Sequence, residues 1–319
     1  MSEPSGPVID VHSHLITPAY WSAVERRMAD EPEFARLAQA NNLAPQPEDG
    51  PMRTTAPRVA EMAAASVQIS VLSLPPPGAA IAPGDASLAQ RINDELIAVA
   101  ACHPAELRVM CVLPLPDVAA SLRELERVHG HGLVRGLAVT TTARGWRLDD
   151  PAFDPIYRRI AELDFPLFAH PALEQLPDAY ADFGLIAGLS PVVSSSLGVL
   201  RMIYSGTLDR VPGLTLIVPH LGGLIPYLAQ RLDDLAGPPG WPRKLVGYLT
   251  ERLIVDTCSY HPPAFRCALE TVGADRMALG TDYPFRGSLL RAVRDVRRQR
   301  LGPREEQAVL GGNVARWFA

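Results

Sequence analysis

Residues 8–14 read VIDVHSH, the first apolar run of the chain. The stretch is β-branched and apolar, yet it carries His12 and His14 one residue apart. Seven further runs of this kind follow: VQISVLSL (67–74), LRVMCVL (107–113), LVRGLAVT (133–140), FPLFAH (165–170), LTLIVPH (214–220), RLIVDTC (252–258) and RMALGTD (276–282). Each is continuous rather than alternating in polarity, as a strand must be when neither of its faces meets water. Between them lie stretches with helical spacing, such as ASLAQRINDELIAVAACH (86–103), VAASLRELERVHG (118–130) and DPIYRRIAEL (154–163). Strand and helix alternating eight times predict an α/β fold, a parallel (β/α)8 TIM barrel.

A length of 319 residues suits one such barrel, read here as a single domain over 1–319. Two insertions interrupt the minimal plan, at 15–57 after strand one and 171–213 after strand five. Loops after strands form the catalytic face of this fold, so both are expected to wall a substrate site. The stretch from Ser288 to Ala319 reads as closing helices.

Composition excludes several classes of function. The chain is 47% hydrophobic and 20% charged, with a net charge of −5. No overall basic field draws it to nucleic acid or anionic lipid. The arginine-rich RAVRDVRRQR (291–300) lacks interleaved aromatics and reads as a solvated helix face. Cys102, Cys111, Cys258 and Cys267 show no CxxC spacing, which predicts free thiols in a reducing compartment. The opening MSEPSGP has no signal-peptide pattern, and the longest apolar run, LTLIVPHLGGLIPYLA, is broken by proline, histidine and glycine. A cytoplasmic protein with no membrane segment is the expectation.

Strand side chains two apart share a face, so His12 and His14 are expected to point together into the barrel mouth. An isolated HxH is commonly a pair of structural histidines bonded to backbone groups. Here, however, His170 ends strand five, His220 ends strand six and Asp282 ends strand eight. Five groups that bind metal or move protons thus fall at the carboxyl ends of four strands, where a barrel keeps its chemistry.

These residues lie in IDVHSH, DPIYRRIAELDFPLFAHP, VPHLGGLIPYLAQR, VDTCSYHPPA and LGTDYPF. In that order the chain resembles the amidohydrolase superfamily, and within it the branch of aminocarboxymuconate-semialdehyde decarboxylase. The resemblance implies that His12, His14, His170 and Asp282 bind one divalent ion, zinc or alternatively manganese. It implies that His220 and Asp282 handle protons, and that relatives are often homodimers. Binuclear relatives bridge two metals with a lysine at the end of strand four. Here that strand ends in Thr140, Thr141 and Thr142, and the sole lysine is Lys244, so one metal is expected. The branch also places an arginine on the substrate carboxylate. Arg53 is the first candidate and Arg58 the next, though Arg58 is expected rather to face solvent on its helix, and Arg286 is another. His261 matches a histidine some relatives carry after strand seven. Asp10 is expected to share the face of His12, one layer deeper, as a ligand-orienting or a structural carboxylate. Cys258 is expected to pack rather than react. Ala172 and Ser194–Ser196 replace a tryptophan and a glutamate of the aminocarboxymuconate enzymes, so the pocket wall, and with it the substrate, should differ.

The leading expectation is therefore a mononuclear metal-dependent decarboxylase of an aromatic or conjugated-enoate carboxylic acid. The alternative is a hydrolase of an amide, lactone or ester using the same metal-bound water. A non-catalytic barrel serving as a scaffold ranks last, since no ligand position is lost. The partner is a small carboxylic acid, and not nucleic acid or membrane.

Overall fold

The computed structural model describes residues 6–44, 46–143, 145–172, 180, 182–241, 243–259, 261–285 and 288–319. Eight parallel strands form one sheet, and each expected run supplies one of them: β1 (Ile9–His14), β2 (Ile69–Ser73), β3 (Leu107–Cys111), β4 (Val134–Thr140), β5 (Pro166–His170), β6 (Thr215–Val218), β7 (Leu253–Asp256) and β8 (Met277–Ala278). The two edges meet. Val11 N–H donates to the Leu279 carbonyl at 2.9 Å, Asp282 N–H to the His12 carbonyl at 2.9 Å, and His14 N–H to the Tyr283 carbonyl at 2.7 Å. The result is a (β/α)8 barrel. Strand β8 is only two residues long because Thr281 and Asp282 turn their amides to the His12 carbonyl.

The strands explain their own apolarity. Leu72, Leu137 and Leu167 face the helical layer, while Ile69, Ala138 and Phe168 fill the barrel interior. Val314, Trp317 and Phe318 join that inner cluster and plug the barrel from the C-terminal end of the chain. Burying such side chains contributes roughly 1.5–3 kcal/mol each, which offsets the entropy of ordering the strands.

Strand β1 departs from simple alternation. Its register against β2 slips between Asp10 and Ser13, a bulge. Val11 joins the apolar interior, and the next residue, His12, also turns inward, its ring 5.1 Å from that of His170. A bulge re-aims side chains in this way. Asp10 therefore does not share the face of His12, which corrects the expectation from spacing. Its carboxylate accepts from Thr281 Oγ1 at 2.9 Å, Thr281 N at 3.1 Å and His12 N at 3.2 Å. It holds backbone in place, and burial pushes its carboxyl up to about 7 against those hydrogen bonds.

The first insertion folds as helices Pro18–Asp30 and Pro32–Ala40, each opened by a proline, which fits a first helical turn where no amide is needed. Much of the second expected insertion is instead the ordinary crossover: helix Ser190–Tyr204 runs between β5 and β6. Among the described residues, no helix is long and apolar enough to cross a membrane.

Candidate metal centre and active-site cavity

His12 and His14 from β1, His170 at the end of β5 and Asp282 after β8 turn donor atoms toward one point. His12 Nε2 lies 3.1 Å from His14 Nε2 and 3.2 Å from His170 Nε2. Asp282 Oδ1 lies 3.3 Å from His12 Nε2 and 3.2 Å from His14 Nε2. Donors ~2.0–2.2 Å from a shared centre have separations of about this size.

The opposite nitrogen of each ring is tied down. His12 Nδ1 donates to Asp256 Oδ2 at 2.5 Å, His14 Nδ1 to the Leu74 carbonyl at 3.1 Å, and His170 Nδ1 to the Pro171 carbonyl at 3.0 Å. These partners put a proton on each Nδ1, so the Nε2 lone pairs of His14 and His170 face the common point, and His12 offers its own once its second proton is displaced. One proton can bridge only one such pair, so three nitrogens and a carboxylate oxygen in this arrangement fit a cation.

The electrostatics agree. Burial lowers the imidazolium pKa of His14, and that of His170 still further, so both stay neutral. Burial also opposes charge on Asp282, but hydrogen bonds and charge from His12 and His14 hold its carboxyl well below the usual range. Burial works against a charged His12 too, yet Asp256 and Asp282 raise it to about 10. The centre is built around a positive charge, and its donors are largely in the deprotonated form that metal binding needs.

His220 stands beside this group, its Nε2 4.0 Å from Asp282 Oδ2, with both side chains partly open to the cavity. Burial and the charge of His12 depress its pKa. Its Nδ1 is buried without a hydrogen-bond partner. The backbone there is strained: His220 and Leu221 have φ of 59° and 57°, and Gly222 and Gly223 continue at 77° and 66°. For the two non-glycine residues this costs about 1–2 kcal/mol each. A Cβ on Gly223 would lie 2.4 Å from Ser196 Oγ and 2.6 Å from the Val192 carbonyl, so the turn needs glycine there.

Asp256, at the end of β7, holds the strained turn. Its Oδ1 accepts from His220 N at 2.8 Å and Cys258 N at 3.0 Å, while its Oδ2 accepts from His12 Nδ1 at 2.5 Å. Sequence reading quoted this residue inside VDTC and gave it no role. An acid closing the apolar run LIV was the available signal.

Arg58 is the second correction. It is fully buried rather than facing solvent. Its guanidinium donates to Ser13 Oγ through Nη1 and to the His14 carbonyl at 2.5 Å through Nη2, and lies 4.7 Å from the centre of the Tyr283 ring. It braces β1 just where the histidines leave it, and burial lowers its pKa to about 10.

A cavity of about 670 Å³ opens from the donor group, lined by His170, His220 and Asp282 at that end and by mostly apolar side chains elsewhere. His261 borders it and is exposed. Cys258 is buried yet also borders it, its Sγ within 4.8 Å of donor atoms of His12 and His220. Arg53 stacks at 5.7 Å over Trp21 and is not among the cavity-lining residues, so the structure does not bring it to the donor group. Arg286 lies outside the described residues. Lys244 is exposed at the start of helix Leu245–Glu251 and supplies no bridge.

A family model described as "Amidohydrolase" matches residues 9–319. A 2-amino-3-carboxymuconate-6-semialdehyde decarboxylase of Dictyostelium discoideum is 27% identical over 275 residues, 81% of this chain and 74% of its own length. A gamma-resorcylate decarboxylase of Rhizobium radiobacter is 29% identical over 72% of this chain and 76% of its own. A crystal structure of 5-carboxyvanillate decarboxylase from Novosphingobium aromaticivorans, complexed with manganese and 4-hydroxy-3-methoxy-5-nitrobenzoic acid, superposes with a TM-score of 0.85 at 25% identity, covering 98% of this chain and 96% of that one.

Proposed function

This chain belongs to the amidohydrolase family, and on that premise we propose a mononuclear metal-dependent decarboxylase acting on an aromatic or conjugated carboxylic acid. The observation that carries the reading is the group of three imidazoles and one carboxylate at the floor of an otherwise largely apolar cavity. His12, His14, His170 and Asp282 would hold one divalent ion, zinc or manganese, since imidazole with carboxylate suits both. When bound, the ion supplies a fixed positive charge that attracts the acid and steadies negative charge as it builds.

The chain's own residues account for the rest. The reaction exchanges carbon dioxide for a proton: the carbon–carbon bond breaks, its electron pair stays on the ring carbon, and a proton is added there. Asp282 Oδ2 and His220 Nε2 both reach the cavity and lie 4.0 Å apart, so they form a pair able to pass that proton. The apolar walls exclude water from the carbanion-like carbon. His261, on the rim, is placed to meet a polar substituent of the acid. The working unit we propose is a homodimer, which light scattering checks.

The test is elemental analysis of protein loaded with zinc or manganese, alongside carbon dioxide release from 2,6-dihydroxybenzoate and related acids. About one ion per chain is expected, lost together with activity in a His12→Ala/His14→Ala variant. Full metal binding with water added to an ester or amide, and no carbon dioxide from any acid, would move the assignment to a hydrolase.

A further inference from the structure

The cavity is far larger than a single-ring acid needs. A void of ~150 Å³ accepts benzene, whereas this one measures about 670 Å³, within the ~300–1,000 Å³ that encloses drug-sized ligands. The excess is mostly apolar, with polar exceptions such as Asn41, Asn42, Ser259 and His261 among the described lining residues. Asp282 is the only carboxylate among the described lining residues, and none of them is lysine or arginine. Among the described lining residues, the donor group is the one place that offers a carboxylate or a bound cation to a charged end of a ligand.

Two facing helical walls of the cavity are small and aliphatic. Ala187, Gly188 and Val192 come from the helices after β5, and Ala264 and Ala268 from helix Pro262–Val272 after β7. A Cβ built on Gly188 meets nothing within 4 Å. Filling this space with hydrocarbon gains its transfer from water, while a ligand ending at the ring leaves the walls wet or empty.

We propose that the natural substrate carries an extended apolar substituent, an alkyl chain or second ring. It lies between helices Ser190–Tyr204 and Pro262–Val272 while the carboxylate end sits at the donor group. The decarboxylase reading enters only in saying which end reacts.

The experiment uses manganese-loaded protein and 2,6-dihydroxybenzoates, unsubstituted or bearing methyl, propyl or pentyl at either free ring position. Dissociation constants come from calorimetry and kcat/KM from carbon dioxide release. Affinity should tighten about two- to fourfold per methylene in at least one positional series. In Val192→Phe and Ala264→Phe, which fill the space from opposite walls, the ratio of pentyl to unsubstituted affinity should fall toward one. A wild-type affinity that is flat or declining with chain length in both series overturns the proposal, whether or not either variant folds. Carbon dioxide from the parent acid without any gain from the chain leaves the decarboxylase reading standing and removes this one. A chain-length gain in binding without carbon dioxide does the reverse.

Discussion

The two halves of the barrel mouth are built to different standards. On the side of β2, β3 and β4, the space next to His170 shrinks to about 20 Å³ among Pro75, Pro76, Leu113 and Trp146, at most a single water. On the side of β5, β6 and β7 it widens to about 670 Å³. His14 leans on the packed half, where the Leu74 carbonyl fixes its ring, while His12 and His170 are held from the open half by Asp256 and the Pro171 carbonyl. His220 and the mostly apolar wall belong to the open half. The donor group is thus clamped from both halves, and volume is left on one side only, where a ligand must fit.

Stability measurements should break or confirm this contrast most visibly. Leu113→Ala, on the packed side, is expected to cost about 2–5 kcal/mol, because a fully buried leucine leaves a cavity its neighbours cannot close. Val192→Ala, on the open side, should cost under about 1 kcal/mol, since its side chain already borders space. Urea unfolding of both variants decides the matter, and equal losses would dissolve the distinction.

A smaller effect is expected where the halves join. Asp256→Asn keeps the size of the side chain but cannot serve His12, His220 and Cys258 together. Metal affinity or kcat/KM should fall roughly 10–100-fold with the fold retained. Chelator competition and far-ultraviolet circular dichroism check this, and unchanged values would reduce Asp256 to a packing role.

The smallest effect is a pH profile of metal-free protein. His14, His170 and His220 have folded pKa values below the unfolded value of 6.5. The unfolded chain therefore binds more protons in acid, and stability drops as pH falls through that value. His12 has the opposite sign: raised to about 10, its contribution is full below 6.5 and is lost as pH rises toward 10. Urea midpoints in a chelating buffer should peak near neutrality and decline at pH 5 and pH 10. A steady rise across the range would mean that His12 is not held charged between Asp256 and Asp282.

Much of this was legible in the chain alone. The eight apolar runs located eight strands because burial on both faces leaves a plain mark on composition. The histidines and Asp282 stood out because polar residues at the ends of such runs are costly unless used. What escaped needed three dimensions. The β1 bulge exchanges one inward residue for two, and apolar Val11 beside His12 gives no warning of it. Arg58 lies on a helix otherwise rich in small residues, and only the approach of Ser13 and the His14 carbonyl explains its burial. Asp256 acts on residues 36 and 244 positions away, beyond the reach of any local pattern.

That reach has a consequence for descent. One carboxylate fixes both the imidazole that would grip the metal and the turn that carries His220. Lineages of this barrel can exchange wall residues one at a time and explore new acids cheaply. Position 256 is tied to two parts of the site at once, since its carboxylate accepts from the His12 ring and from the His220 backbone. Diversity should therefore accumulate along the cavity wall, and Asp256 should be inherited together with His12 and His220.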